Sequence, residues 1–71
     1  HGAAVDSDGS LLLGRDNQIY RFDPTGTAEP QFLGVIGGVE VIEGLAVDAE
    51  HNKLLVIDGA TDQLIEVALD L

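Results

Sequence analysis

His1-Gly2-Ala3-Ala4-Val5-Asp6 and Glu43-Gly44-Leu45-Ala46-Val47-Asp48 are near copies of one another. Gly, Ala, Val and Asp recur at the same places, 42 residues apart. After each copy the chain follows one order: a polar turn, a leucine-rich run, an aspartate and a second apolar run. A period of this length defines the folding unit before any single residue is read. It divides the chain into residues 1–42, a first repeat, and residues 43–71, a second and incomplete one.

Working outward from the copies, every apolar run is short and ends in turn chemistry. His1 to Asp6 predicts a strand whose small side chains suit a crowded place. In Ser7-Asp8-Gly9-Ser10 the Asp and Ser bond their own backbone and Gly9 supplies positive φ. Leu11-Leu12-Leu13 is too short for a helix and reads as a strand buried on both faces. After Asp16-Asn17, Gln18 to Phe22 predicts a third strand with Tyr20 and Phe22 on one face. Asp23-Pro24-Thr25-Gly26 has the residues of a type I turn. Gln31 to Ile36 is a fourth strand, stopped by Gly37-Gly38, and Val39 to Ile42 leads into the second copy.

The second copy predicts strands over Leu45 to Val47, Lys53 to Ile57 and Gln63 to Leu69. Aligned by sequence, Asp16 falls on Asp58 and, after a longer turn, Gln18 on Gln63, placing Ile65, Val67 and Leu69 on the face of Tyr20 and Phe22. No segment sustains a helical period, so the expected fold is all-β, four strands and then three.

Composition narrows the functions. The chain has 71 residues, no cysteine and a formal charge of −10. So short a chain has a marginal core unless something staples it, and here no disulfide does. Oligomerisation is the remaining common route. The acidic field repels nucleic acid and anionic membranes, and no run approaches the ~20 apolar residues of a membrane span. Absence of cysteine permits an extracellular address. The chain opens on histidine and holds no methionine, which leads us to expect a processed product or a piece of something longer.

Gly44-Leu45-Ala46-Val47-Asp48, Leu54-Leu55-Val56-Ile57-Asp58 and Asn17-Gln18-Ile19-Tyr20-Arg21-Phe22-Asp23-Pro24-Thr25-Gly26 together resemble the NHL-type β-propeller repeat. The chain is similar also to the repeats of secreted bacterial propeller-like proteins. The resemblance implies antiparallel four-stranded propeller-type blades, one complete and one lacking its fourth strand. Closed propellers have about four to eight blades, so a chain of fewer than two is expected to be part of a longer propeller or to complete itself with other copies. Lactonase-like and lyase-like propellers hold metals with residues from several blades, a set this chain does not supply.

Asp6-Ser7-Asp8-Gly9-Ser10 resembles the start of a calcium loop, with Asp6 and Asp8 as candidate ligands, but the twelfth position, where such a loop needs glutamate, is Asn17. A hairpin turn is the simpler reading, and no cofactor is expected. His1 and His51 stand in no metal-ligand spacing. Asp16 and Asp58 read as turn caps rather than a catalytic pair. Ser7 and Ser10 have no recognisable His and Asp partners, and no Gly-rich phosphate loop is followed by Lys.

These readings predict no catalytic residues. They point to a non-enzymatic structural module, extracellular or at the cell surface, that assembles with itself into an oligomer or filament. The expected contact is the terminal strand, Gln63, Leu64, Ile65, Glu66, Val67, Ala68 and Leu69, whose missing neighbour invites strand addition. The alternative is a part of a larger β-propeller that is an enzyme or binds a ligand.

Overall fold

The computed structural model describes residues 2–26 and 28–69. Seven strands form: β1 (Gly2–Val5), β2 (Leu11–Arg15), β3 (Gln18–Phe22), β4 (Gln31–Val35), β5 (Ile42–Asp48), β6 (Lys53–Asp58) and β7 (Gln63–Ala68). The fold is all-β, and every strand pairing is antiparallel. β1 to β4 make a first sheet in chain order, and β5 to β7 a second.

The turns explain why successive strands are neighbours. In the first hairpin the Gly9 amide bonds the Asp6 carbonyl at 2.9 Å with Gly9 at φ 88°, a conformation that favours glycine. The Gly26 amide bonds the Asp23 carbonyl at 2.9 Å, and the Asp23 side chain accepts the Thr25 amide at 2.9 Å. That closes the Asp-Pro-Thr-Gly turn as its residue types demand. Asp16 holds φ 54° in the two-residue turn between β2 and β3.

Facing residues on antiparallel strands share a side of the sheet, so the pairings fix the rows. On one side of the first sheet run Val5–Leu11–Phe22 and Ala3–Leu13–Tyr20–Phe32. The other side carries Ala4–Leu12–Arg21 and Gly2–Gly14–Ile19. In the second sheet, Val47–Leu54–Val67 and Leu45–Val56–Ile65 lie on one side; Ala46–Leu55–Glu66 and Gly44–Ile57–Leu64 lie on the other.

The Leu12 side of the first sheet packs on the Leu54 side of the second. Leu12, Ile19, Ile36, Val39, Ile42, Leu54 and Val56 form one buried core, with Leu45, Val47, Ile65 and Val67 packed against it. The segment between the sheets therefore closes the core instead of merely connecting it. Backbone bonds fasten it, from the Ile36 amide to the Asn17 carbonyl (2.9 Å) and from the Ile42 amide to the Asp16 carbonyl (2.6 Å).

Two glycines let the sheets approach. A Cβ on Gly2 would lie 3.0 Å from the Gly44 carbonyl carbon, and one on Gly14 would lie 2.5 Å from Ile42 Cγ2. Ile42 is fully buried and has nowhere to retreat. Gly14→Ala should therefore lower stability by about 1–3 kcal/mol through overpacking, as measured by urea denaturation, with Gly9→Ala expected to act through backbone strain alone. An unchanged midpoint for Gly14→Ala would mean that the sheets do not meet there.

Three sequence expectations are corrected. Leu11–Leu13 is not buried on both faces: Leu12 is 0% exposed but Leu11 is 41%, because the first sheet is covered on one side only. The fifth strand starts at Ile42, ahead of Leu45, and Leu69 lies just beyond β7. The match of Asp16 to Asp58 also fails. Asp58 faces Gln63 as Arg15 faces Gln18, while Asp16 sits inside its turn with the same positive φ as Asp62. One residue more separates Val47 from its partner Leu54 than separates Val5 from Leu11, so Leu54 corresponds to Leu11, not to Leu12. Such a slip exchanges the two faces of a strand.

Candidate self-association surface

The acidic turns are occupied with their own backbone. Asp6 pairs with Arg21 at 3.0 Å and accepts the Ser7 amide at 2.7 Å. Asp8 accepts both the Ser10 amide (2.9 Å) and the Ser10 hydroxyl (2.6 Å). The Ser10 hydroxyl and then its amide hold the Asp8 carboxyl below its ordinary range. The two calcium-ligand candidates thus point into separate bonds, Asp6 to Arg21 on β3 and Asp8 to Ser10 within the turn. Among the described residues, no three His, Asp or Glu side chains converge as a metal-binding group.

Ser7 and Ser10 hydroxyls both donate to aspartates of their own turn. His51 Nδ1 lies 2.8 Å from Asp48 Oδ2 at the tip of the β5–β6 hairpin. That side-chain bond lowers the Asp48 pKa from the ordinary carboxylate value. Asp23 is lowered in the same way, first by the Thr25 amide. His1 falls outside the described residues. An open cleft of about 420 Å³ beside Arg21 is bordered by Asp8, Asp23 and Gln31, and both of its aspartates are the turn carboxylates just described.

Asp58 is different. It is 1% exposed. Its Oδ1 accepts the Val41 amide at 3.2 Å and the Ala60 amide at 3.1 Å, and its Oδ2 accepts the Thr61 hydroxyl at 3.0 Å. Burial alone would raise its pKa, but these bonds outweigh the desolvation and hold the carboxyl low. The side chain ties the entry of β5 to the turn after β6, which is the work of a cap.

The remaining surface with functional potential is apolar and repeats. β7 has β6 on one side and, among the described residues, no strand on the other. Within it Ile65 and Val67 turn toward the core, whereas Gln63, Leu64, Glu66 and Ala68 are exposed, and the Leu69 amide bonds the Asn52 carbonyl at 2.9 Å. The broader feature was not singled out in the sequence. It is the uncovered side of the first sheet, where Val5 is 63% and Phe32 54% exposed. Tyr20 and Phe32 stack obliquely there, with centroids 5.5 Å apart. Ala3, Leu11, Leu13 and Phe22 border an apolar hollow of about 230 Å³. Period-two alternation was the available signal, and the continuous Leu11–Leu13 run masked it.

No described helix is long and apolar enough to cross a membrane. The chain matches no protein-family model and no curated protein sequence.

Proposed function

We propose that this chain is a non-enzymatic extracellular structural module that assembles with copies of itself through β-strand edges. The observation that carries the proposal is β7, a strand with apolar neighbours and a row of backbone groups facing no described strand. The bond from the Leu69 amide to the Asn52 carbonyl continues the β6–β7 register. Antiparallel ladders alternate bonded and non-bonded pairs. The amides of Ile65 and Val67 therefore face β6, and those of Leu64, Glu66 and Ala68 face outward. An added strand satisfies these groups together, and unpaired edges of this kind are templates for another chain.

Glu66→Pro tests the edge. It removes an outward donor where proline is tolerated on an edge strand, so the monomer should fold while assembly is crippled. Glu66→Ala keeps the donor and loses only an exposed pair with Lys53 (3.4 Å), an interaction of little worth, so it should assemble like the parent. Sedimentation velocity at micromolar concentration reads both. A parent that sediments as a folded monomer of 7.4 kDa, or a Glu66→Pro variant that assembles as the parent does, sinks the proposal.

The reading of the two sheets as propeller-type blades, after the NHL-type resemblance, draws support from the recurrence of the cross-strand rows. The same uncovered face also suits a part of a larger propeller that is an enzyme or a ligand-binding protein. The intact mass of the natural material separates these readings: a discrete product of this size favours self-assembly, and a longer chain with further Gly-x-Ala-Val-Asp strands favours the larger propeller.

A further inference from the structure

The repeat, read through strand pairing, places each row of the first sheet on a row of the second. Val5–Leu11–Phe22 corresponds to Val47–Leu54–Val67, and Ala4–Leu12–Arg21 to Ala46–Leu55–Glu66. The packing inside the chain joins unlike sides, the Leu12 side of the first sheet against the Leu54 side of the second. Each side therefore has a counterpart at the far end of the stack. The counterpart of the covered Leu54 side is the Leu11 side, which lies open. The counterpart of the covering Leu12 side is the Leu55 side, also outward, with Leu64 61% exposed.

We propose that the Leu11 side of the first sheet is the docking face for a second copy of this chain, which seats its Leu55–Leu64 side there. The proposal rests on the self-association reading and adds a face-to-face contact to the edge contact. The chain itself shows what covers such a face. Where the Leu54 side meets its cover, the approaching strands present Gly2, Ala4, Leu12, Gly14 and Ile19; the Leu55 side presents Gly44, Ala46, Leu55, Ile57 and Leu64 at the corresponding places. Gly2 and Ala4 keep small counterparts and Leu12 and Ile19 keep large apolar ones, whereas Ile57 stands where Gly14 lies against Ile42. The hollow bordered by Leu11, Leu13 and Phe22 lies where the leucines of a second copy arrive.

The two faces differ and sit on opposite ends of one chain. The contact is therefore heterologous, closing into a ring or running on as a filament according to the rotation between copies. Its polarity gives a test that an isologous contact or an edge contact does not pass. Leu11→Glu blocks one face and Leu64→Glu blocks the other. Both side chains are exposed within a single chain, so each variant should keep the parent's circular dichroism.

Sedimentation equilibrium is measured on the parent, on each variant and on their equimolar mixture. Each variant alone should associate at least about tenfold more weakly than the parent, because a docked face would bury an unpaired carboxylate. The mixture should form a one-to-one complex at concentrations where neither variant associates, since one chain keeps an intact Leu55 face and the other an intact Leu11 face. A parent that stays monomeric overturns self-association and this contact together. A parent that assembles, with variants that assemble equally well, overturns the face contact and leaves the edge contact standing. Dimerisation of Leu64→Glu alone, without gain on mixing, shows like faces meeting and overturns the proposed polarity.

Discussion

Leu54→Ala should lower the free energy of unfolding by about 2–5 kcal/mol, and Leu11→Ala, at the corresponding place in the first sheet, by about 1 kcal/mol or less. Leu54 is 0% exposed at the centre of the core between the sheets, whereas Leu11 is 41% exposed. Truncating Leu54 loses its transfer free energy and leaves a cavity among Leu12, Ile19 and Val56, all of them fixed by buried neighbours. A domain of this length has a total stability of only about 4–10 kcal/mol, so the loss is a large fraction of the whole. Chemical denaturation at concentrations below assembly measures both variants. Equal losses would mean that the two faces are equally covered, and the packing described above would be wrong. Above the assembly threshold the order changes in kind, because Leu11→Ala then weakens association instead of folding.

Asp58→Ala should be the most damaging substitution of a polar residue, lowering the melting temperature by roughly 5–15 °C. The Val41 and Ala60 amides and the Thr61 hydroxyl would all lose the acceptor they share, a carboxylate that is itself 1% exposed. Asp58→Asn keeps an oxygen for the two amides and loses the acceptor for Thr61, so it should be milder. The carboxyl also makes stability depend on pH. Its folded pKa lies below its ordinary value, so the unfolded chain takes up the proton first as pH falls. The contribution of Asp58 is complete above the unfolded value, and it is lost from about pH 5 downward as pH falls through the folded value. Acidification also relieves the repulsion of a chain carrying −10, which works in the opposite direction. The difference between parent and Asp58→Asn, followed by thermal unfolding from pH 6 to pH 3, isolates the carboxyl. That difference should shrink toward acid pH; a constant difference would show that Asp58 does not titrate with folding.

Much of the architecture was legible without coordinates. Gly9 after Asp6, Asp23-Pro24-Thr25-Gly26 and the paired Gly-x-Ala-Val-Asp stretches are local signals, and turn chemistry is decided within a few residues. They placed seven short strands nearly where they form, and the order of the sheets follows because short turns join neighbours. Which side of each strand is buried was not legible. A run such as Leu11-Leu12-Leu13 is apolar on both sides, and its partner run in the second copy aligns equally well with either of two offsets. The pairings of Val47 with Leu54 and of Asp58 with Gln63 decide between them. The core depends on the same tertiary facts. Gly14 is unremarkable in the sequence until Ile42 is found against it, and Ile36 reads as the end of a strand and Val39 as a connection until two sheets close over them. Short-range chemistry determined the strands and turns of this chain. Only the packing of one sheet on the other decided which apolar side became its core and which was left uncovered, because burial depends on what lies opposite a face and not on the residues that make it.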